Sequence, residues 1–155
     1  MLGAMATDIL RALLAPLSED VSGIELGDEG LRGQLDLRYG LVAFQIDHDP
    51  DAEALRVSVR LPPPAGAGAD FLVWCLSLNA QYWDAKLALD ESGFLLVHAD
   101  VDATPQSDIE PLRGALIDRI DTIAELIDDD LTSYLLERRL GTPEQLERWA
   151  SEPRP

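Results

Sequence analysis

The sequence predicts an α+β protein with the element order α-β-β-β-α-β-β-α, its antiparallel sheet packed against helices. Three observations carry that reading. Residues 31–38, 41–47 and 55–61 have the strand pattern of short runs with few breaks, two of them with apolar residues at every second position. Residues 86–101 are two further strand-like runs separated by Glu91-Ser92-Gly93, a hairpin turn signal. The remaining apolar residues recur at helical spacing near the start, in the middle and after residue 107. At 155 residues the chain is the size of one domain with a single closed core. We read residues 1–141 as that domain and residues 142–155 as a short terminal helix and tail.

In chain order, Thr7 and Asp8 are placed to cap a first helix carrying Ile9, Leu10, Leu13, Leu14 and Leu17, with Pro16 marking its end. A glycine-rich acidic turn through Gly23, Gly27 and Gly30 follows. The first strand sets Leu31, Gly33, Leu35 and Leu37 on one face and Arg32, Gln34, Asp36 and Arg38 on the other. Tyr39-Gly40 turns the chain into a second strand, and residues 48–53 connect it to a third. The third alternates Leu55, Val57, Val59 and Leu61 with Arg56, Ser58 and Arg60. Short connections make an antiparallel meander the simplest topology. Pro62 to Gly68 is an irregular crossing. Asp70 is then placed to cap a helix that is apolar nearly all round: Phe71, Leu72, Val73, Trp74, Cys75, Leu76 and Leu78. After the hairpin, Ser107 and Glu110 have capping-box spacing, with Pro111 in the first turn. The long helix they start carries Leu112, Leu116, Ile120, Ile123, Ile127, Leu131 and Leu135, and Gly141 ends it. Thr142, Pro143 and Gln145 start the terminal helix, with Leu146 and Trp149 set to fold back onto the body.

Twelve basic against 29 acidic residues leave a net charge of −17. Such a surface repels phosphate backbones and anionic lipid heads, which argues against nucleic-acid and membrane partners. It also keeps exposed apolar surface in solution. Cys75 is the only cysteine, so no internal disulfide or cysteine-based zinc site can form. It reads as a small core residue. Asp8 and Arg11 interrupt the apolar N-terminal run, which therefore reads as an amphipathic helix and not a signal peptide; a cytoplasmic location is expected.

Signals for chemistry are weak. Asp47, Asp49, Asp51 and Glu53 are spaced like the start of a calcium loop, but Ala52 stands where that loop needs glycine and Ser58 where it needs glutamate. A solvated hairpin loop is the better reading. Asp128, Asp129 and Asp130 point around a helix and cannot converge on one ion. His48 and His98 have no companions at ligand spacing. There is no nucleophile elbow, phosphate-cradling glycine loop or zincin motif. No enzyme, cofactor or metal is expected. Trp74, Tyr82 and Trp83 are more informative, because aromatics anchor interfaces. Core packing is the simpler account of Trp74 alone. The case for an interface rests on the all-apolar helix, of which one sheet face can cover only one side.

Leu78-Asn79, then Lys86-Leu87-Ala88-Leu89-Asp90, then Gly93-Phe94-Leu95-Leu96-Val97-His98-Ala99-Asp100-Val101 resembles the YbjN-like branch of the type III secretion chaperone-like superfamily. There a Leu-Asn pair ends the middle helix ahead of a hairpin of this form. The element order, the small size and the acidic balance agree with it. The resemblance implies a bacterial, chaperone-like fold and a homodimer that buries the middle helix. The crossing at Pro62–Gly68 and the extension after Gly141 depart from it. The expected function is a chaperone-like adaptor that binds an extended, apolar segment of a client along its sheet or first helix. The alternatives are a regulatory or scaffold protein with one specific contact, or a small-molecule-binding domain. Phe71, Trp74, Leu78, Tyr82 and Trp83 are the expected dimer or partner interface, and Leu10, Leu13 and Leu14 the expected client-binding residues of the first helix.

Overall fold

The computed structural model describes residues 2–38, 40–62, 68–104, 106–138 and 144, and the side chains from residue 8 onward. Six strands form one antiparallel sheet, with helices stacked on one of its faces. The strands are β1 (Glu25–Gly27), β2 (Gly30–Leu37), β3 (Gly40–Asp49), β4 (Ala54–Leu61), β5 (Lys86–Leu89) and β6 (Leu95–Asp102). Their spatial order is β1-β2-β3-β4-β6-β5. The expected meander is therefore present as β2-β3-β4, and the expected hairpin as β5-β6, which joins the meander through β6 beside β4.

Alternation decides which face is dry. Leu31, Leu35 and Leu37 from β2, Val42, Phe44 and Ile46 from β3, Leu55, Val57, Val59 and Leu61 from β4, and Leu95, Val97, Ala99 and Val101 from β6 are all buried. The residues between them are more exposed. Helix α1 (Leu2–Ser18) packs on β1, β2 and β3, and α3 (Ile109–Glu125) packs on β4, β6 and α1. Helix α2 (Ala69–Gln81) lies against β5.

Gly33 sets the middle of this core. It sits directly across from Phe44 in the β2–β3 register, and the Phe44 ring covers its Cα so closely that an added Cβ would lie 2.5 Å from the ring. The ring needs a strand position with no side chain, and glycine supplies it. Gly93, at φ +84°, closes the β5–β6 turn in a conformation that L side chains rarely adopt.

The structure corrects several boundaries. Helix α1 begins at Leu2, so Asp8 lies inside it and does not cap it; the Leu-, Ala- and Met-rich start is itself strongly helix-forming. It also runs through Pro16 to Ser18. A proline in the last turn removes only one backbone hydrogen bond, and the end is closed when the Val21 amide donates to the Leu17 carbonyl at 2.8 Å and Ser18 Oγ donates to the Leu14 carbonyl at 2.6 Å. Strand β1 falls in the glycine-rich turn, where three residues are too few for alternation to show. Gly68, not Asp70, is the N-cap of α2, with Asp70 in its first turn facing the positive end of the helix dipole. Asp108, not Ser107, precedes α3; Ser107 Oγ instead accepts from the Thr104 amide at 2.8 Å.

The long helix is divided into α3, a π-helical segment (Leu126–Leu131) and α4 (Thr132–Glu137). Most of the Pro62–Gly68 crossing, Tyr39 of the expected turn, and the expected helix end and terminal helix with Gly141, Leu146 and Trp149 lie outside the described residues.

Replacing Gly33 by alanine should force the Phe44 ring out of its place and cost about 1–3 kcal/mol, a fall of several degrees in Tm. Thermal unfolding checks this. Phe44→Leu in the same chain should return part of the loss, because the clash is with the ring and the two changes are coupled.

Candidate partner-binding site

Helix α2 is apolar all round, so its sequence could not say which side faces inward. The structure turns Phe71, Cys75 and Leu78 into the core. Trp74 is half-buried, its ring stacked on Tyr134 of α4 with centroids 4.1 Å apart, and Phe71 lies 6.0 Å from the same tyrosine. Tyr82, just past the helix, is also half-buried; its hydroxyl donates to the Asp130 carboxylate of the π segment. Burial, then that bond and the charge behind it, push the phenol well above its usual pKa. Of the five expected interface residues, Trp83 alone is open, at 94% exposure. Phe71 and Leu78 are core residues of this chain, on a helix that packs against β5.

The surface that α2 offers is the opposite side. Leu72, Val73 and Leu76 are 42%, 62% and 68% exposed and form a stripe one turn long. The same reversal applies to α1. Leu10 and Leu13 are buried against the sheet, and Leu14 is half-buried. Beyond it Val21, Ile24 and Leu26 are also partly buried and pack on the core from its rim, where β1 forms a sheet edge.

The other edge of the sheet is occupied. Asn79, near the end of α2, accepts from the Leu87 amide at 2.6 Å and donates to the Leu87 carbonyl at 2.9 Å. Its side-chain amide thus pairs with β5 as a neighbouring strand would. Lys86 donates to the carbonyls of Asn79 and Tyr82, both at 2.7 Å, which places a cation at the negative end of α2. Asp90 closes the hairpin by accepting from the amides of Ser92 and Phe94 at 2.9 and 3.0 Å.

The uncovered face of the sheet is mostly polar, with Leu41 of β3 the one large apolar side chain that is fully open on it among the described residues. Arg56 sits directly across from Asp100 and donates to both carboxylate oxygens, at 2.8 and 3.1 Å. That bond lowers the Asp100 pKa against the opposing effect of burial. Arg60 donates to Asp90 at 2.6 Å and lies 4.2 Å over the Phe94 ring.

Most of the sequence-flagged chemistry resolves into structural roles; His48 does not, since both of its ring nitrogens are buried without a hydrogen-bond partner among the described residues. Asp49 accepts from the amides of Asp51 and Ala52 and so caps the β3–β4 loop. Asp128 is more than a solvated charge, since its carboxylate accepts from the Arg38 amide at the end of β2. Burial pushes the Cys75 thiol up to about 11, which keeps it protonated and unreactive at neutral pH. His98 is held below its usual pKa by burial, with Arg56 adding to the effect. Among the described residues no group of three or more histidine, cysteine or acidic side chains gathers closely enough to hold a metal ion. No helix among them is long and apolar enough to cross a membrane.

No family model matches the sequence, and no curated protein matches it. Solved structures do. A chain of the ExsC–ExsE complex superposes with a TM-score of 0.54 at 19% identity, over 78% of this chain and 92% of that one. A chain of the HopA1–SchA chaperone–effector complex gives 0.52 at 16%, over 76% and 91%. The fold is that of the type III secretion chaperones. The chain spans nearly the whole of each of these chaperone-fold structures, and at such low identity the likeness concerns the fold.

Asn79→Ala should leave two groups of Leu87 unpaired and lower stability by about 1–3 kcal/mol. It should also free the β5 edge, so the variant should self-associate more strongly than the parent chain. Thermal unfolding and light scattering read the two effects separately.

Proposed function

We propose that this protein is a chaperone-like adaptor, without catalysis, that holds an extended apolar segment of a client protein. One observation carries the proposal. On a chain of net charge −17, apolar side chains stay open on α2 and half-open along the rim from α1 to β1, while the edge at β5 is closed. Solubility at that charge permits such a surface, and a binding role accounts for it. The chaperone–effector complex among the similar structures supports the same reading. The likeness of residues 78–101 to the YbjN-like branch allows a chaperone outside any secretion apparatus.

The client segment pairs with the free edge of β1, and its apolar side chains rest on Leu14, Val21, Ile24 and Leu26. Strand addition suits this place, because backbone hydrogen bonds supply affinity for any extended chain and the side-chain rim supplies preference. Leu10 and Leu13 act from behind, as the core that positions Leu14.

Two copies pair through α2. Leu72, Val73 and Leu76 are the contact, Trp83 flanks it, and Trp74 and Tyr82 support it from below. Identical apolar patches can meet across a two-fold axis and close the assembly.

A client captured from the native cell should be bound as a segment without its own fold. Limited proteolysis of the complex should then protect one short client fragment and digest the rest, and Leu26→Asp should abolish the capture. A client held as an intact folded domain would show a scaffold instead. For pairing, sedimentation of the parent chain should show dimers at tens of micromolar, and Leu76→Glu should yield folded monomers. Leu76 is the better probe than Trp74, whose stacking on Tyr134 makes a charge there destructive to the fold. A monomeric parent chain at that concentration sinks the pairing.

A further inference from the structure

The exposed stripe of α2 has a candidate occupant in the same chain. Helix α4 ends at Glu137, and the guanidinium of Arg138 lies 5.5 Å from the Tyr134 ring. That ring is the one stacked on Trp74 of α2. Arg138, the residue that precedes 139–155, is thus one ring away from α2. Fully extended, a chain covers about 3.3 Å per residue, so the stripe, one helical turn or about 5 Å long, is within easy reach.

The composition of this segment fits the task. Thr142 and Gln145 have capping-box spacing with Pro143 at the first helical position, and Glu144 is helical and exposed. In such a helix Leu146 and Trp149 are three residues apart and share one face. Charge also fits. Arg139, Arg148 and Arg154 balance Glu144, Glu147 and Glu152, so the segment is neutral in a chain whose net charge is −17. A second copy approaches the stripe against the mutual repulsion of two strongly acidic bodies. The tethered segment approaches at an effective concentration in the millimolar range, without that repulsion.

We propose that residues 139–155 dock on Leu72, Val73 and Leu76 of their own chain, with Leu146 and Trp149 as the anchors, and compete there with a second copy. The competition rests on the pairing proposed above; the cover does not. Pairing then requires the segment to be displaced, and the concentration at which copies associate is set by how firmly it is held.

Thiol labelling of the full chain tests this. Ser77 is exposed one turn after Val73, and Ser77→Cys leaves the three apolar side chains in place. Ala80→Cys, exposed on the next turn, provides a second reporter with the same expected contrast. The native Cys75 is buried and protonated, so it labels slowly. Circular dichroism confirms that each variant is folded. The labelling rate of each reporter is compared, well below one micromolar, with and without Leu146→Glu and Trp149→Glu. The expected result is a rate about tenfold higher once the anchors are charged, with protection in the parent chain that does not change on dilution. Intramolecular protection in a chain that stays monomeric at every concentration would support the cover while removing the pairing. Equal rates in the two chains overturn the proposal. So does protection that grows with protein concentration and survives the anchor changes, which would assign the stripe to a second copy alone.

Discussion

Everything in this molecule depends on the one-sidedness of its sheet. Strands β2, β3, β4 and β6 alternate apolar and polar side chains in the same phase, and all the major helices lie on the apolar side. A one-residue slip in any strand would move its Leu, Val and Phe side chains to water, so the hairpin registers and the helix layer enforce one another. The Gly33–Phe44 contact locks this at the β2–β3 pair, since the ring fits only where the facing residue has no side chain. The polar side can then be held by cross-strand ion pairs such as Arg56–Asp100, which confer register more than stability.

The parts of the fold legible in the sequence are those with a strong period. Alternation in β2 and β4 and the Ser92-Gly93 turn each act over short distances and survive any tertiary context. β1 is not legible, because three residues beside a glycine turn carry no period. The π segment is not legible either. Its Asp128 and Asp130 are placed by partners far away in the chain, the Arg38 amide and the Tyr82 hydroxyl, and neither contact leaves a local trace. The site is half legible. Composition identifies α2 as the helix with more apolar surface than a sheet can cover. A helix apolar all round has no phase, however, so the sequence names Phe71 and Leu78 as interface candidates without fixing their side, and the fold turns both into the core, with Phe71 against Tyr134 of α4.

The residues that carry the family resemblance prove to be a folding device. Asn79, Lys86, Asp90 and Gly93 join the end of α2 to the β5–β6 hairpin: one pairs with the strand edge, one neutralises the end of the helix, and two make the turn. This explains why such a pattern identifies a fold so much better than an activity. Of its side chains only Leu89 is an open large apolar one, and those on the proposed surfaces, Leu72, Val73, Leu76 and Leu26, are ordinary aliphatics with no signature of their own.

The Asn79 amide against β5 also fixes how many chains the sheet can recruit. A sheet with two bare edges is bivalent: each strand it accepts leaves another bare edge at the far end, and growth can continue into a fibre. With Leu87 of one edge paired from within and α2 lying against that strand, β1 is the edge left open to an extended chain. A single added strand on β1 satisfies it, and a segment presenting one usable edge terminates the stack. For the client-holding role proposed above, that condition keeps the sheet from nucleating growth of its own.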